Sequence, residues 1–128
     1  MKLLLDTHLL IWTAANPQKL SKAARTLIED RDNDLAFSSV SIWEIAIKYA
    51  LEKPAFNVDP HLVRRGCLDN GMAEIAMTSE VAIIVATLPH IHKDPFDRLL
   101  VAQAMAEGVE LLTADKTIAR YRGPVRLV

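Results

Sequence analysis

The sequence predicts an α/β fold built on a central, mostly parallel β-sheet with helices on both faces. Three observations predict it. Short strand candidates recur at residues 2–5, 35–37, 73–76, 110–113 and 125–128. Helical patterns stand between the first four of them. Several strands, Leu3-Leu4-Leu5 and Leu111-Leu112 among them, are continuous apolar runs rather than alternating ones. A strand apolar at every position is buried on both faces, and crossover helices are what bury it in a parallel sheet. The length of 128 residues predicts one domain spanning 1–128.

Each element has a local reason. Residues 2–5 form an apolar strand that Asp6 ends. Residues 7–15 are compact and apolar, and Asn16-Pro17 stops them. Residues 21–31 read as a helix with Ala24, Leu27 and Ile28 on one face and Ser21 as its N-cap. Asp32-Asn33-Asp34 is a turn before the strand at 35–37. A strong helix over 39–51 is stopped by Pro54, and another over 60–69 by Asn70-Gly71. Residues 79–87 are expected to be helical despite their Val and Ile content. Residues 89–95 form a loop between two prolines. The clearest helix covers 96–106, with Gly108 as its stop. After the strand at 110–113 come a short helical turn at 115–120, a Gly123-Pro124 turn and the last strand.

Charge and cysteine content narrow the function. Fifteen Lys and Arg face sixteen Asp and Glu, a net charge of −1, so no whole-surface basic field exists and any nucleic-acid contact is a local patch. Cys67 is the single cysteine, which excludes an intrachain disulfide and a Cys-rich zinc site. Asp6 interrupts the first apolar run too early for a signal peptide, and no stretch approaches a membrane span. The expectation is a cytoplasmic protein.

Sites in parallel sheets form beyond the carboxyl ends of the strands. There the sequence places acids. Asp6 and Asp115 follow strands, Glu44 lies early in a helix that follows a strand, and Asp97 lies in the first turn of the helix before residues 110–113. Each has a structural explanation. Asp6 and Asp115 suit helix N-caps. Ser41-Ile42-Trp43-Glu44 matches a capping box, and Glu44 also stands one turn before Lys48. Asp94-Pro95-Phe96-Asp97 reads as an N-cap, a first-position proline and a first-turn acid. The helical wheel favours a site. Asp97 shares its face with Leu100, Val101 and Ala104, and Glu44 with Val40, Ile47 and Leu51. Buried carboxylates need a partner, and few basic residues lie on those stripes. A divalent cation, Mg²⁺ or Mn²⁺, settles the charge with oxygen ligands.

The segments Leu3-Leu4-Leu5-Asp6-Thr7, Ser41-Ile42-Trp43-Glu44-Ile45, His92-Lys93-Asp94-Pro95-Phe96-Asp97-Arg98-Leu99-Leu100 and Leu112-Thr113-Ala114-Asp115, in this order, resemble the PIN-domain nucleases. In particular they resemble the VapC-like ribonuclease toxins of bacterial type II toxin–antitoxin systems. The resemblance runs over residues 2–128. It implies a PIN-like three-layer sandwich whose five-stranded sheet has the order 3-2-1-4-5. It implies hydrolysis of RNA phosphodiesters by an acidic site of Asp6, Glu44, Asp97 and Asp115, with Asp94 kept as the N-cap. Asp6 and Asp97 are the expected direct ligands of Mg²⁺. Asp115 is a ligand or holds a water, and Glu44 orients water or joins a second, weaker cation. A homodimer is expected, as is an antitoxin whose C-terminal segment wraps the domain and sets a basic side chain near Asp6, Glu44 and Asp97.

Other residues near these positions have two readings each. Thr7 and Thr113 read equally as caps or as hydroxyl partners of a carboxylate. His90 and His92 read as a solvated loop rather than as metal ligands, and His8 stays open. Trp12 and Trp43 read as core rather than as base-stacking platforms. Lys48, Lys93, Arg98 and Lys116 either attract phosphates or offset nearby acids. Three other functions compete. A haloacid-dehalogenase-like phosphatase would carry Asp-x-Asp, but His8 stands at its third position. A non-catalytic binding module would have no need of four acids. A housekeeping RNA-processing nuclease of the same fold stays open. No Walker loop, G-x-G-x-x-G or H-E-x-x-H occurs, so nucleotide-binding and zincin readings lack support.

Overall fold

The computed structural model describes all 128 residues. Five strands form one sheet: β1 (Lys2–Leu5), β2 (Asp34–Ser38), β3 (Ala73–Ile75), β4 (Glu110–Thr113) and β5 (Val125–Leu127). Their spatial order is β3-β2-β1-β4-β5. Every neighbouring pair is parallel, so the sheet is wholly rather than mostly parallel. The pairing Leu4↔Ala36 on one side of β1 and Leu4↔Leu111 on the other centres the sheet on the first strand.

Six helices cover it: α1 (Thr7–Ala15), α2 (Lys22–Glu29), α3 (Ser39–Ala50), α4 (Pro60–Asp69), α5 (Ser79–Ile84) and α6 (Pro95–Glu107). Because side chains alternate along a strand, the triple-leucine strand feeds two cores. Leu3 and Leu5 join Leu9, Leu10, Phe37, Ile45 and Leu112 on one face. Leu4 joins Val40, Leu100, Val101 and Leu111 on the other. Leu3, Leu4 and Leu5 are fully buried, each contributing roughly 1.5–3 kcal/mol of transfer free energy. Cys67 is buried, and burial pushes its thiol up to about 11, which makes it an inert core residue. No helix is long and apolar enough to cross a membrane.

Most boundaries follow the expected caps. Ser21 accepts the Ala24 N–H and starts α2; Asp94 accepts the Phe96 and Asp97 N–H groups and starts α6. Gly108, at φ 65° in the left-handed region, ends α6. Three expectations are corrected. The helix expected over 79–87 leaves α geometry after Ile84 and continues as a 3-10 turn over Val85–Thr87, where Ile83, Ile84 and Val85 put β-branched side chains in sequence. The turn expected over 115–120 is helical only at Ile118–Arg120, because the Asp115 side chain takes the Thr117 and Ile118 N–H groups first. The capping box at Ser41 does not form. Strand β2 runs into α3 without a loop, so the cap falls on Ser38, which accepts the Val40 N–H.

Candidate active site

The four acids meet at the carboxyl edge of the sheet because of the topology just described. Strands β1 and β4 lie side by side, so Asp6, which follows β1, and Asp115, two residues beyond β4, emerge together. Helices α3 and α6 start at the same edge, since a crossover helix runs against its strands. Their early residues Glu44 and Asp97 therefore point to the same place.

Asp6 is 2% exposed. Its Oδ1 accepts the Leu9 N–H at 2.9 Å, which caps α1, and its Oδ2 accepts the Thr113 hydroxyl at 2.6 Å. Thr113 in turn accepts the Asp115 N–H at 2.9 Å, so one hydroxyl couples both strand-end acids. Burial raises the Asp6 carboxyl above its ordinary value, and the two hydrogen bonds hold that rise back. Thr7 touches no carboxylate; its hydroxyl donates to Ser41 Oγ at 3.0 Å and ties α1 to α3.

Asp97 carries the largest consequence. Burial pushes its carboxyl up to about 8, and the charges of Asp94, Glu44, Asp6 and Asp115 push in the same direction. Each of the other three acids, with Asp94, is thus close enough to repel it. Asp115 is more open. Burial raises its carboxyl, but the Thr117 N–H, the His92 side chain and the Ile118 N–H outweigh that and leave it below its ordinary value. Glu44 is 2% exposed and in the second turn of α3, free of the capping role. Its Oε2 bonds Lys48 Nζ at 2.5 Å, while its Oε1 is buried with no hydrogen-bond partner. Leu51, placed on the same stripe by the wheel, instead ends α3 and is 64% exposed.

His92 was read as a solvated loop residue and is not one. It is partly buried, with Nε2 at 3.1 Å from Asp97 Oδ2 and 3.3 Å from Asp115 Oδ2. The readable signal was local: in His92-Lys93-Asp94-Pro95 the ring nitrogen Nδ1 meets the Asp94 N–H at 3.1 Å. His90 is exposed, and His8 sits exposed beside Phe56 and Trp12 with no acid bonded to it. Trp12 packs against the core, but Trp43 does not belong to it. It is 56% exposed and stands edge-on to Phe96, beside Asp97 in sequence, with ring centroids 5.1 Å apart. Lys48 offsets an acid. Arg98 pairs with no acid; it donates to the Pro89 and Val85 carbonyls at 2.9 and 3.0 Å and to Tyr121 Oη at 3.1 Å. Lys93 and Lys116 are exposed.

A hard divalent cation suits this donor set. The candidate donors are carboxylate oxygens, one of them an orphaned buried oxygen, and Lys48 is the one lysine or arginine paired with any of the four acids. His92 Nε2, Asp97 and Asp115 offer atoms within 4.8 Å of one another.

The comparisons agree with the fold. The PIN domain matches residues 3–124. The chain is similar to Ribonuclease VapC22 of Mycobacterium tuberculosis, at 34% identity over 122 residues covering 94% of this chain and 92% of the relative. Its fold is similar to that of VapBC2 from Rickettsia felis, solved bound to a DNA fragment from their promoter. There the TM-score is 0.72 at 16% identity, over 100% of this chain and 99% of the other. VapBC-1 from nontypeable Haemophilus influenzae gives a TM-score of 0.59 at 17% identity, over 94% and 91% of the two chains. With the family matched over nearly all residues and a relative 34% identical along its length, the chain belongs to the PIN-domain family, in its VapC-like branch.

Proposed function

We propose that this chain is a Mg²⁺-dependent endoribonuclease, with Mn²⁺ able to substitute, acting as a single PIN domain over residues 1–128 and as the toxin of a toxin–antitoxin pair. The observation that carries the reading is the crowding at Asp97, whose carboxyl is pushed up to about 8 by burial and by four neighbouring acids. A protein whose stability alone mattered would not keep four acids so close to a buried carboxyl. The similarity to Ribonuclease VapC22 supports RNA as the substrate, and the VapBC neighbours support an antitoxin as the partner. In this reading the protein works in the cytoplasm, where its RNA is.

Asp6 and Asp97 would hold the cation, and Asp115 would join them directly or through a water. When bound, the cation supplies positive charge to the anionic transition state of phosphodiester hydrolysis and acidifies water. The chain's own residues do the rest. Thr113 and the Leu9 N–H fix both oxygens of Asp6, so its carboxylate has one orientation. Asp94 spends its side chain on capping α6 and fixes the direction from which Asp97 enters. Glu44 keeps one oxygen on Lys48 and leaves the other free to orient an attacking water.

Incubating the protein with RNA in Mg²⁺, in chelator and as the Asp97→Asn variant tests this. Cleavage is expected in Mg²⁺ alone, with at least a hundredfold loss in the variant. Full cleavage in chelator, or by the variant, refutes the cation site. Growth arrest on expression, relieved by a co-expressed antitoxin, separates a toxin from a housekeeping nuclease.

A further inference from the structure

The hydrogen bonds around His92 fix its proton. A backbone N–H only donates, so the contact between the Asp94 N–H and His92 Nδ1 at 3.1 Å makes Nδ1 an acceptor and leaves it bare. A neutral imidazole then carries its proton on Nε2. That N–H points between Asp97 Oδ2 at 3.1 Å and Asp115 Oδ2 at 3.3 Å. Both oxygens accept, whether or not Asp97 holds a proton on its other oxygen. A metal-ligating histidine needs the opposite arrangement, a bare nitrogen toward the ion and a proton on the far one. Here the far proton would meet the Asp94 N–H donor to donor.

Neither side of this contact is free to turn. Asp94 Oδ1 holds the Phe96 and Asp97 N–H groups at 2.8 and 3.3 Å, and Pro95 follows it. On the other side, the His92 N–H donates to Tyr121 Oη at 3.0 Å. Tyr121 is buried, and the same hydroxyl accepts from Arg98. Arg98 also ties down the Pro89 and Val85 carbonyls. The ring is therefore oriented from its own backbone, from the next turn of chain and from a distant residue near the C-terminus.

We propose, resting on the nuclease reading above, that His92 is a positioning residue of the acidic site: a neutral donor that holds the Asp97 and Asp115 carboxyls toward one another through a shared Nε2–H, and not a ligand of the cation. The proximity of its Nε2 to the two acids resembles a three-ligand site, and the Asp94 N–H is what excludes that role.

Nitrogen-15 NMR of the histidine rings reads the proton directly. It is recorded on the wild-type protein at mildly alkaline pH, where imidazoles are neutral, first without cation and then with saturating Mg²⁺. The Nε2–H form is expected in both. A switch of His92 to the Nδ1–H form on adding Mg²⁺ overturns the proposal. Calorimetric titration with Mn²⁺ gives a second readout. His92→Ala is expected to weaken binding about 10–100-fold, the usual effect of removing a partner that orients a ligand. His92→Gln, which keeps an N–H near the Nε2 position, is expected to recover much of it. Unchanged or tighter binding by His92→Ala overturns the proposal. Cleavage is read in neither measurement, so a protein that failed to cut RNA would still decide the role of His92.

Discussion

Substituting Asp97 by asparagine separates stability from chemistry. Between the ordinary aspartate value of 3.8 and about 8, folded Asp97 keeps a proton that the unfolded chain has lost. The folded state thus binds more protons, and stability falls as pH rises through that window. Asp97→Asn cannot ionise, so in cation-free buffer it is expected to melt higher than wild type. The gap should widen from pH 4 to pH 8 and reach several degrees, since one pKa unit is worth about 1.4 kcal/mol. Thermal melts across that range check it, and a parallel pH dependence in both proteins contradicts it. Asp6→Asn differs, because Asp6 also caps α1 and accepts from Thr113. Loss of charge and loss of the Thr113 bond oppose each other there, and its melting temperature is expected to move less. At this scale the sequence was informative where a residue's meaning is local. Asp94 reads as a cap from its own Pro95, Asp6 and Asp115 read as strand-end acids, and Glu44 and Asp97 read as inward from helix stripes. His92 was misread because half its partners, Asp115 and Tyr121, lie 23 and 29 residues away. Trp43 was misread because helical spacing gives neighbours but not the direction of the core.

Helix α6 and the loop before it behave as one element, joined by Arg98. A phosphate-binding arginine and a structural one make opposite predictions. Arg98→Ala strips partners from the Pro89 and Val85 carbonyls and from Tyr121 Oη. It is expected to cost about 2–3 kcal/mol of stability by urea unfolding, the range for bonds to a charged donor. It should also speed amide hydrogen exchange over residues 85–92. Arg98→Lys is not expected to rescue, since one ammonium cannot span three acceptors. A variant as stable as wild type that has lost only RNA affinity would restore the phosphate reading. Among the elements, strands and long helices were legible from apolar runs, caps and Gly108. The start of α3 at residue 39 was legible too, but its cap was not, because β2 passes into it with no loop, and a cap signal three residues on, at Ser41, competed with Ser38. The end of α5 was not, because a run of β-branched residues carries no stop residue.

The whole molecule keeps apolar surface after building both cores. Trp43, Tyr49 and Leu51 from α3 and its end, and Leu62 and Leu68 from α4, are exposed. A homodimer is expected, with light scattering at micromolar concentration giving twice the chain mass; a monomer there removes the expectation. The sheet order follows from the family resemblance rather than from periodicity, which assigns strands but not neighbours. Its all-parallel character follows from the alternation of strands and helices. Which side chains complete the site is a property of the assembled sheet, and no local pattern contains it.

The hydrogen bond from Thr113 to Asp6 joins residues 107 apart. It closes over the sheet's central strand, which is made long before β4 and must wait for β4 to pair on its second side. Domains fold as units during synthesis, and long-range parallel pairing is slow because loop-closure entropy is spent before contacts return it. The acids therefore stay scattered while the nascent chain lengthens. A ribosome making this protein is not exposed to its chemistry until β4 and Asp115 have been made. A chain truncated after Gly108 lacks β4 and Asp115 and is expected to bind no Mn²⁺ by calorimetry. Binding by that fragment would mean that the site assembles earlier.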